Sequence, residues 1–434
     1  MSFSNRSYYF AGAIAVAGIA GQWLGGVYTP LWRILLVIFI FCVLLEYLLI
    51  RRQQVSVTHQ ISGRALLGRK IRGTLFAVNH QQFPVSLQVE FQSVEAFANA
   101  GFFRMFRLEP GKKAGYSYEL LPVEPGDHVA GRTFLRMLGR SGLIWWRLPD
   151  GPQNKIRIVP DSVQLSDKSA GLQRSGNRRF RFKAGNEQGT ELIMLRDYQY
   201  SDPMHLIDWK ATARSGSAKV RVFTSEQQIE LVILIDCGRG SLLQAGRLSR
   251  MNHYINVAAR LAETALAAGD RVGLVSFADA PLATTPIGKG RAALLAVRDH
   301  LQRTHAVTRE SNPLFAVMHL RRLLRHRGLI VFLTEIAEAE AASQLLRAMQ
   351  LLMPKHIPLV AAVKDETIEG MKRLAGDDWL DPYRRYAAYE YTHAVRRSVL
   401  NLKKSGCTVV LAGPDELDRE VMLNYDRLRN QRRV

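Results

Sequence analysis

The C-terminal half of the chain alternates short, uniformly apolar runs with longer amphipathic runs, beginning with "LVILID" at residues 231–236. The later apolar runs are "RVGLVSF", "GLIVFLTE", "IPLVAAV" and "CTVVLAG". Strands that have no polar face are covered on both faces, as in a parallel sheet between layers of helices. We therefore predict a doubly wound α/β domain over residues 229–434, in which ligands bind at the carboxyl ends of the strands.

Two apolar runs of about 20 residues, 8–27 and 31–50, lie at the N-terminus and are separated by a segment that contains Pro30. A run of this length is what a single helix needs to cross a bilayer. Arg33 and Glu46 lie near opposite ends of the second run, and cations flank the pair. We predict a transmembrane helical hairpin over residues 1–52 in the bacterial inner membrane, with the other domains in the cytoplasm. The alternative is a cleaved signal peptide, which Arg6 and small residues near Ala20 permit.

Residues 53–165 alternate apolar and polar side chains in short runs punctuated by glycine and proline. This pattern predicts a small antiparallel β-sandwich or barrel. The neighbours Trp145 and Trp146 fall on opposite faces of a strand, so we expect one to pack inward and the other to rest on the edge.

Residues 166–228 form a polar, basic linker followed by a distinctive segment. The cations of the basic loop are Arg174, Arg178, Arg179, Arg181 and Lys183. With a net charge of +21, the chain attracts anions such as acidic lipid, nucleic acid or an acidic protein face. The loop is either simply solvated or in contact with anionic lipid, which the nearby predicted anchor favours. Nucleic acid is disfavoured, because the chain carries no recognisable nucleic-acid-binding motif. Three widely spaced cysteines indicate a reducing compartment.

The segment "LRDYQYSDPMHLIDWKATAR", residues 195–214, resembles the signature of a bacterial family known as domain of unknown function 58. The signature positions that carry chemistry are Tyr198, Asp202, Asp208, Trp209, Lys210 and Arg214, together with Glu226. The chain departs from the family pattern at Ser201, where glycine is usual, and at His205-Leu206, where an arginine is usual. We expect Asp208 to pair with Arg214 and a cation to lie over Trp209. Such a cluster is expected to be architectural, with a recognition surface or a catalytic Asp-Lys pair as the alternatives.

The resemblance implies a von Willebrand factor A-like α/β domain and a MoxR-type AAA+ ATPase as partner. Metal-binding domains of that type hold a cation with Asp-x-Ser-x-Ser, a Thr and an Asp. Here the first loop reads Asp236-Cys237-Gly238-Arg239-Gly240, so both serines are replaced by glycine. Ser311 stands where Thr is usual, and Glu335 stands where Asp is usual. Magnesium requires six hard oxygen ligands, so we predict a degenerate site that holds no metal. Asp236 then pairs with Arg239 or caps the following turn.

The chain contains no phosphate-binding G-x-x-x-x-G-K-[ST] loop, nucleophile elbow or zinc-binding helix. We therefore predict a non-catalytic, membrane-anchored adaptor without a cofactor, which binds a MoxR-type ATPase and a client protein. Two alternatives remain open. One is an enzyme that uses Asp208 and Lys210 or a metal at Asp236, and the other is a lipid or nucleic-acid binder that uses the basic loop.

Overall fold

A computed structural model describes residues 2–25, 30–50, 55–98, 101–161, 191–200, 202–224, 229–324, 326–336, 339–374 and 378–431. The chain forms two compact units. The first comprises residues 1–160 with 247–252, and the second comprises residues 161–246 with 253–434. The basic loop, Ser201 and Glu226 lie outside the described residues.

The first unit begins with a short strand and two helices, β1 (Ser2–Phe3), α1 (Asn5–Leu24) and α2 (Leu31–Ile50). The helices contact each other, and the rings of Phe10 and Phe39 stack with centroids 5.6 Å apart. The prediction of two transmembrane helices is wrong. In the part of the chain that is described, no helix combines the length and the apolar character needed to cross a membrane.

Two features of these helices explain the error. The prediction counted residues between charges and tolerated the polar ones, whereas α1 is built largely of glycine and alanine and includes Arg6 and Gln22. Glu46 of α2 does not extend toward solvent, because its side chain is buried. Its carboxylate accepts hydrogen bonds from the backbone N–H of Ser141 at 2.6 Å, from the Ser141 hydroxyl, and from Trp146 Nε1 at 3.4 Å. Hydrogen-bond donors of this same chain therefore surround the Glu46 carboxylate.

The rest of the first unit is rich in β-structure, as its alternating pattern predicts. Its strands are β2 (Val55–Ile61), β3 (Arg64–Leu66), β4 (Ile71–Asn79), β5 (Val85–Ser93), β6 (Phe102–Leu108), β7 (Lys113–Leu120), β8 (Gly126–Val129), β9 (Gly131–Leu138), β10 (Ile144–Arg147) and β11 (Lys155–Val159). They form sheets in the orders β1-β10-β9-β5-β6, β2-β4-β7 and β3-β11-β8. Trp146 is buried while Trp145 is only half-buried, which confirms the expectation for this pair.

From residue 191 onward, strands and helices alternate. The strands are β12 (Glu191–Asp197), β13 (Lys219–Thr224), β14 (Glu230–Asp236), β15 (Gln244–Ala245), β16 (Leu248–Ser249), β17 (Arg271–Phe277), β18 (Pro281–Gly288), β19 (Gly328–Leu333), β20 (Ile357–Val363) and β21 (Thr408–Ala412). The helices are α3 (Trp209–Ser215), α4 (Arg250–Ala267), α5 (Gly290–Arg303), α6 (Pro313–Leu323), α7 (Ala339–Leu352), α8 (Glu366–Met371), α9 (Asp381–Lys404) and α10 (Leu417–Gln431).

Six of these strands form one sheet in the order β18-β17-β14-β19-β20-β21, in which only β18 is antiparallel to its neighbour. Numbered along the chain, this is the order 3-2-1-4-5-6 of a doubly wound sheet. Alternate residues of β14, such as Val232 and Leu234, pack with α6, α7 and α9. The residues between them, Leu231, Ile233 and Ile235, are buried equally well. Both faces of the sheet are therefore covered, which explains the absence of a polar face in the sequence.

Local chemistry sets the ends of the helices that place the loops. Gly269, at φ +84°, follows α4 in the left-handed conformation that glycine adopts without strain. Asn312 caps α6 by accepting a hydrogen bond from Phe315 N–H at 3.0 Å, and Pro313 occupies the first turn. The cap at Asn312 and the proline at 313 set the start of α6, and thereby fix the loop that carries Ser311 at the carboxyl end of the sheet.

Candidate functional site

The candidate site lies where the strand order of the sheet reverses, between β14 and β19. Asp236 ends β14, and Thr334 and Glu335 directly follow β19. Ser311 comes from the loop before α6. A crevice at the carboxyl ends of the strands at such a switch point is the usual ligand site of a doubly wound sheet. The structure therefore brings together Asp236, Ser311 and Glu335, as the sequence predicts.

Asp236 is buried, and hydrogen-bond donors occupy both of its carboxylate oxygens. Oδ1 accepts from the Ser311 hydroxyl and from Gly238 N–H at 2.8 Å, and Oδ2 accepts from Thr334 Oγ1 at 2.6 Å. Burial raises the pKa of the Asp236 carboxyl, and the bonds from Ser311, Thr334 and Gly238 act in the opposite direction. Hydroxyl and amide groups of the protein thus take the positions around the carboxylate that a cation would otherwise use.

We call the loops that carry Asp236, Ser311, Thr334 and Glu335 at the carboxyl end of the sheet the crown. Positions 238 and 240 of the crown must be glycine, because neighbouring loops fill the space that a side chain would need. A Cβ at position 238 would overlap Ser311 Oγ and would lie 3.0 Å from Arg309 O. A Cβ at position 240 would overlap Glu335 Oε2. The loss of the two serines is therefore matched by the inward packing of Ser311 and Glu335. The remaining serine of the loop, Ser241, donates its hydroxyl to the Asp236 carbonyl at 2.7 Å instead of contacting the carboxylate.

The structure distinguishes between the two alternatives for Asp236. Arg239 forms an exposed ion pair with Glu310 at 2.7 Å, so the predicted pairing of Asp236 with Arg239 is wrong. Asp236 instead caps the turn through Gly238 N–H. Cys237 is buried beside it, and burial raises the pKa of its thiol to about 12, which keeps the sulfur protonated at neutral pH.

The oxygen groups that could hold a metal here are the side chains of Asp236, Ser311, Thr334 and Glu335. No group of three or more His, Cys, Asp or Glu side chains within the described ranges is arranged to hold a metal ion. Ser311 and Thr334 already donate their hydroxyl hydrogens to Asp236. These four side chains therefore fit the octahedral coordination of magnesium poorly. Sequence reasoning missed Thr334. Its signal is a hydroxyl residue directly before Glu335 at the end of a strand.

The signature residues form a separate feature, which we call the signature arm and define as residues 191–224 apart from 201. Its frame is the antiparallel pair β12 and β13, and α3 lies between these strands along the chain. Ile207 forms an additional bridge to Val220. Gly216, at φ +69°, closes α3 and allows the chain to return into β13.

Three aspartates fix the shape of the arm. Asp208 caps α3 by accepting from Lys210 N–H and Ala211 N–H, and its other oxygen accepts from Arg221 Nε at 2.9 Å. The side chains of Asp202 and Arg196 form a two-pronged ion pair. The third pair joins Asp197 to Lys219 at 2.6 Å.

These pairs correct the sequence-based assignment. Asp208 binds Arg221 rather than the predicted Arg214, because the bridge between Ile207 and Val220 places residue 208 beside β13. The Arg221 guanidinium, followed by the two amides, lowers the pKa of the Asp208 carboxyl. Both oxygens of Asp208 are occupied by other donors and Lys210 is exposed, so the side chains of Asp208 and Lys210 are not paired with each other. Arg196 and Arg221, which hold the arm, were not singled out by sequence reasoning.

The outer surface of the arm is apolar and basic. The exposed fractions of Tyr200, Met204 and Trp209 are 101%, 74% and 70%. The side chains of Lys210 and Arg214 are exposed on the same arm, and Tyr198 is half-buried. No cation lies over the Trp209 ring among the described side chains. The predicted cation–aromatic contact is therefore wrong, and the aromatic face is turned to solvent.

The fold and these two features define a doubly wound α/β domain that carries an arm built on an antiparallel strand pair. A family model described as "Protein of unknown function DUF58" matches residues 194–370, which supports the DUF58 family for this part of the chain. The match includes most of the arm and all four oxygen-bearing residues of the crown. No curated protein matches the chain.

Several solved structures are similar to part of the chain. The CARDB domain of the PF1109 protein from Pyrococcus furiosus, in complex with di-metal ions, is 9% identical over 24% of this chain and 93% of its own, with a TM-score of 0.20. A β-glucosidase from Listeria innocua is 15% identical over 24% of this chain and 16% of its own, with a TM-score of 0.16. A FixG-related protein from Vibrio parahaemolyticus is 10% identical over 24% of this chain and 95% of its own, with a TM-score of 0.17. Similarities this low carry no functional argument.

Proposed function

We propose that this protein is a non-catalytic adaptor that binds a MoxR-type AAA+ ATPase through the signature arm. The observation that carries the proposal is the exposure of Tyr200, Met204 and Trp209 on a segment whose shape is held by three ion pairs. A preorganised surface with an exposed tryptophan costs little conformational entropy on binding, and tryptophan often dominates the energy of an interface. The ATPase supplies the nucleotide hydrolysis for which this chain has no phosphate-binding loop.

Two further observations support a role in binding rather than in catalysis. Both carboxylate oxygens of Asp236 are engaged by protein donors. The carboxylate of Asp208 is likewise engaged by Arg221 and by the amides of α3. Neither aspartate is therefore positioned as an unengaged general base.

The proposal is tested by titrating the purified full-length chain with a purified MoxR-type ATPase from the same organism. Isothermal titration calorimetry with Trp209→Ala should give a dissociation constant about 10- to 30-fold weaker than the parent protein, the scale of a tryptophan hot spot. Trp379→Ala is the matched control, because Trp379 is 76% exposed elsewhere in the same unit. Equal losses in the two variants would overturn the role of the arm, and no binding by the parent protein would overturn the adaptor.

The enzyme alternative is tested on the same preparation. Elemental analysis should find less than stoichiometric magnesium or manganese. A full equivalent of either metal that disappears in Asp236→Ala would favour the enzyme.

A second candidate function is association with an anionic lipid surface. It is favoured by the many exposed apolar side chains of α1 and α2, among them Trp23 at 90% and Tyr9 at 79%, in a chain of net charge +21. This proposal concerns contact with a cytoplasmic membrane surface and not the crossing of it. Flotation should recover the chain with vesicles of phosphatidylglycerol but not with vesicles of phosphatidylcholine alone. Equal recovery with both lipids, or with neither, would contradict it.

A further inference from the structure

The five-stranded sheet of the first unit ends at β6, a strand with one partner among the described residues. β6 pairs along its whole length with β5, from Phe91↔Phe102 to Val85↔Leu108, and ends the strand order on that side. It has seven residues and no proline. Phe103 and Met105 are each 57% exposed. Unprotected apolar edge strands of this length are uncommon, because they offer a template on which another strand can pair.

Two hydrogen bonds on the side of β9 that faces away from β5 show which way the backbone groups of β9 point. Leu148 N–H donates to Leu135 O at 3.0 Å and Gly151 N–H donates to Thr133 O at 2.9 Å. These residues of β9 therefore direct their backbone groups toward β10. In an antiparallel ladder, alternate residues point to opposite neighbours, so Phe134 between them bonds to β5.

The same alternation carries through β5 to β6. Glu90 lies opposite Phe134 and bonds to β9, so its neighbour Val89 bonds to β6, where it faces Arg104. The backbone groups of Phe103 and Met105 must then point away from β5. The open edge therefore presents N–H and C=O groups at Phe103 and Met105, whose apolar side chains are also exposed.

An aromatic cavity of about 730 Å³ adjoins this edge. Its aromatic lining residues are Phe91, Phe102, Tyr116 and Tyr118. The ring centroids of Phe102 and Tyr116 are 4.8 Å apart, and Tyr118 is held in place by a 3.0 Å hydrogen bond between its hydroxyl and His59 Nδ1. The volume falls in the range of ligand pockets. Phe102 belongs both to β6 and to the cavity, so a chain paired with β6 passes beside the opening.

The charges along the edge determine whether a binding segment should be acidic or basic. β6 contains Arg104 and Arg107 and no acidic residue. Arg104 lies over the Tyr116 ring, 4.8 Å from its centroid, and Arg72 lines the cavity. The carboxylate that also lines the cavity, Glu119, is paired with Lys70 at 2.9 Å and with Arg72 at 3.6 Å, so Arg104 and Arg107 are the cations that favour an acidic occupant. A second copy of β6 would bring arginines against arginines, whereas an acidic chain would neutralise them.

We propose that β6 accepts an extended acidic segment of a partner protein as an added strand, with one large apolar side chain of that segment in the aromatic cavity. Main-chain hydrogen bonds to the outward groups of Phe103 and Met105 supply affinity, and the cavity and the arginines supply specificity. The site lies in the first unit and does not depend on the proposed role of the signature arm.

The test measures fluorescence anisotropy of a labelled nine-residue peptide of alternating glutamate and valine with a central phenylalanine, added to the full-length chain. A peptide with lysine in place of glutamate is the charge control. Met105→Pro removes one outward N–H without removing a bond to β5, and should weaken binding at least 10-fold. Met105→Val keeps the N–H and should bind within 2-fold of the parent protein. The lysine peptide should not bind, and added salt should weaken the acidic peptide.

Several outcomes would overturn the proposal. These are equal binding of the acidic and lysine peptides, unchanged binding by Met105→Pro, and concentration-dependent dimers of the parent protein that Met105→Pro abolishes. If Met105→Pro fails to fold by circular dichroism, Arg104→Glu with Arg107→Glu replaces it. That double variant should reverse the preference in favour of the lysine peptide, and retention of the acidic preference would contradict the assignment.

Discussion

The Ser311 hydroxyl occupies the space that a side chain at position 238 would need, and it donates from there to Oδ1 of Asp236. Gly238 has an ordinary extended backbone, with φ −73° and ψ −177°. Its glycine is therefore required by contact with a neighbouring loop and not by backbone strain. This relationship explains why position 238, in the loop after β14, is glycine.

Replacing Gly238 with alanine should destabilise the α/β domain. The new methyl group would displace Ser311 and crowd Arg309 O, and overpacking of this kind costs about 1–3 kcal/mol. Gly370→Ala is the matched control, because no atom lies within 4 Å of its added Cβ and the residue is in α8. That change should be neutral or slightly stabilising. Urea unfolding followed by circular dichroism measures both variants.

Removing the Ser311 hydroxyl should recover part of the stability that Gly238→Ala loses. In Gly238→Ala with Ser311→Ala, the free energy of unfolding should exceed the value expected from adding the two single changes by about 0.5–3 kcal/mol, because the sites share one space. Strict additivity in this double-mutant cycle would show that Ser311 does not limit position 238.

Divalent metal should have little influence on stability. Because Ser311 and Thr334 already donate to Asp236, we expect the melting temperature with 5 mM magnesium to match that with 5 mM EDTA within about 1 °C. A cation bound at 100 times its dissociation constant would add about 2.7 kcal/mol and shift the melting temperature by several degrees. A shift of that size, lost in Asp236→Asn, would contradict the degenerate site.

Acid should weaken the α/β domain through His300. This side chain is buried between Ser276 Oγ at 3.0 Å and Thr285 Oγ1 at 2.7 Å, and burial lowers its pKa. Above its unfolded pKa of about 6.5 the ring is neutral in both states, and below that the unfolded chain binds the proton more readily. Stability therefore falls as pH falls from about 6.5 through the folded pKa.

The contribution of His300 is measured by comparing the parent protein with His300→Gln at pH 7.5 and pH 5.0. One proton accounts for at most about 1.4 kcal/mol per pH unit, so the variant should show a shallower loss of the free energy of unfolding. An unchanged slope would show that His300 does not contribute. Burial also lowers the pKa of His59 and His253, so part of the acid sensitivity should persist in the variant.

Loss of the Asp208 cap should loosen the signature arm. Asp208→Ala removes the acceptor for Lys210 N–H and Ala211 N–H, which costs about 0.5–2 kcal/mol of helix stability. Amide hydrogen exchange in α3 should accelerate about 2- to 30-fold, the same energy range expressed as a rate ratio. Asp208→Asn keeps an acceptor and loses the charge facing Arg221, so it should show a smaller acceleration. Equal effects of the two variants would indicate that the ion pair, not the cap, holds the helix.

The C-terminal helix is anchored at Asp270, which should make Arg429 important for stability. Asp270 is completely buried and accepts from Arg429 Nε at 2.9 Å and from the Tyr425 hydroxyl at 2.5 Å. Arg429→Met leaves the buried charge without its cation and should cost about 3–5 kcal/mol. Tyr425→Phe removes one neutral donor and should cost about 1–3 kcal/mol.

Arg419→Met provides the control for that helix. Arg419 lies on α10, and its one ion pair among the described residues is an exposed pair with Glu420 at 3.6 Å, which contributes about 0–1 kcal/mol. Chemical denaturation of the three variants should rank them Arg429→Met, Tyr425→Phe and Arg419→Met in decreasing loss. A loss at Arg419 that equals the loss at Arg429 would contradict the buried anchor.

The elements of the α/β domain could be predicted from the sequence because their signals are local. The apolar run that becomes β14 and the glycine at 269 that follows α4 act within a few residues of where they stand. The placement of Asp236 and Glu335 at one edge also follows from the direction of parallel strands. By contrast, the pairing of Asp208 with Arg221 depends on the bridge between Ile207 and Val220, which local periodicity does not specify.

The N-terminal helices show where local sequence signals are insufficient. Counting apolar residues between charges gave the right helices and the wrong conclusion about the bilayer. The sequence also did not reveal that Glu46 is buried, because its partner Ser141 lies almost a hundred positions away. Thr334 was missed for the same reason. Only the folded arrangement reveals which hydroxyl meets the Asp236 carboxylate.

The interlocked crown has an evolutionary consequence. Restoring serine at 238 or 240 would set that residue against Ser311 or Glu335, so neither step toward a cation cage is accessible alone. Three loops distant in the chain would have to change together. A protein whose loops interlock in this way can gain a side chain at either position only through intermediates that fold less well.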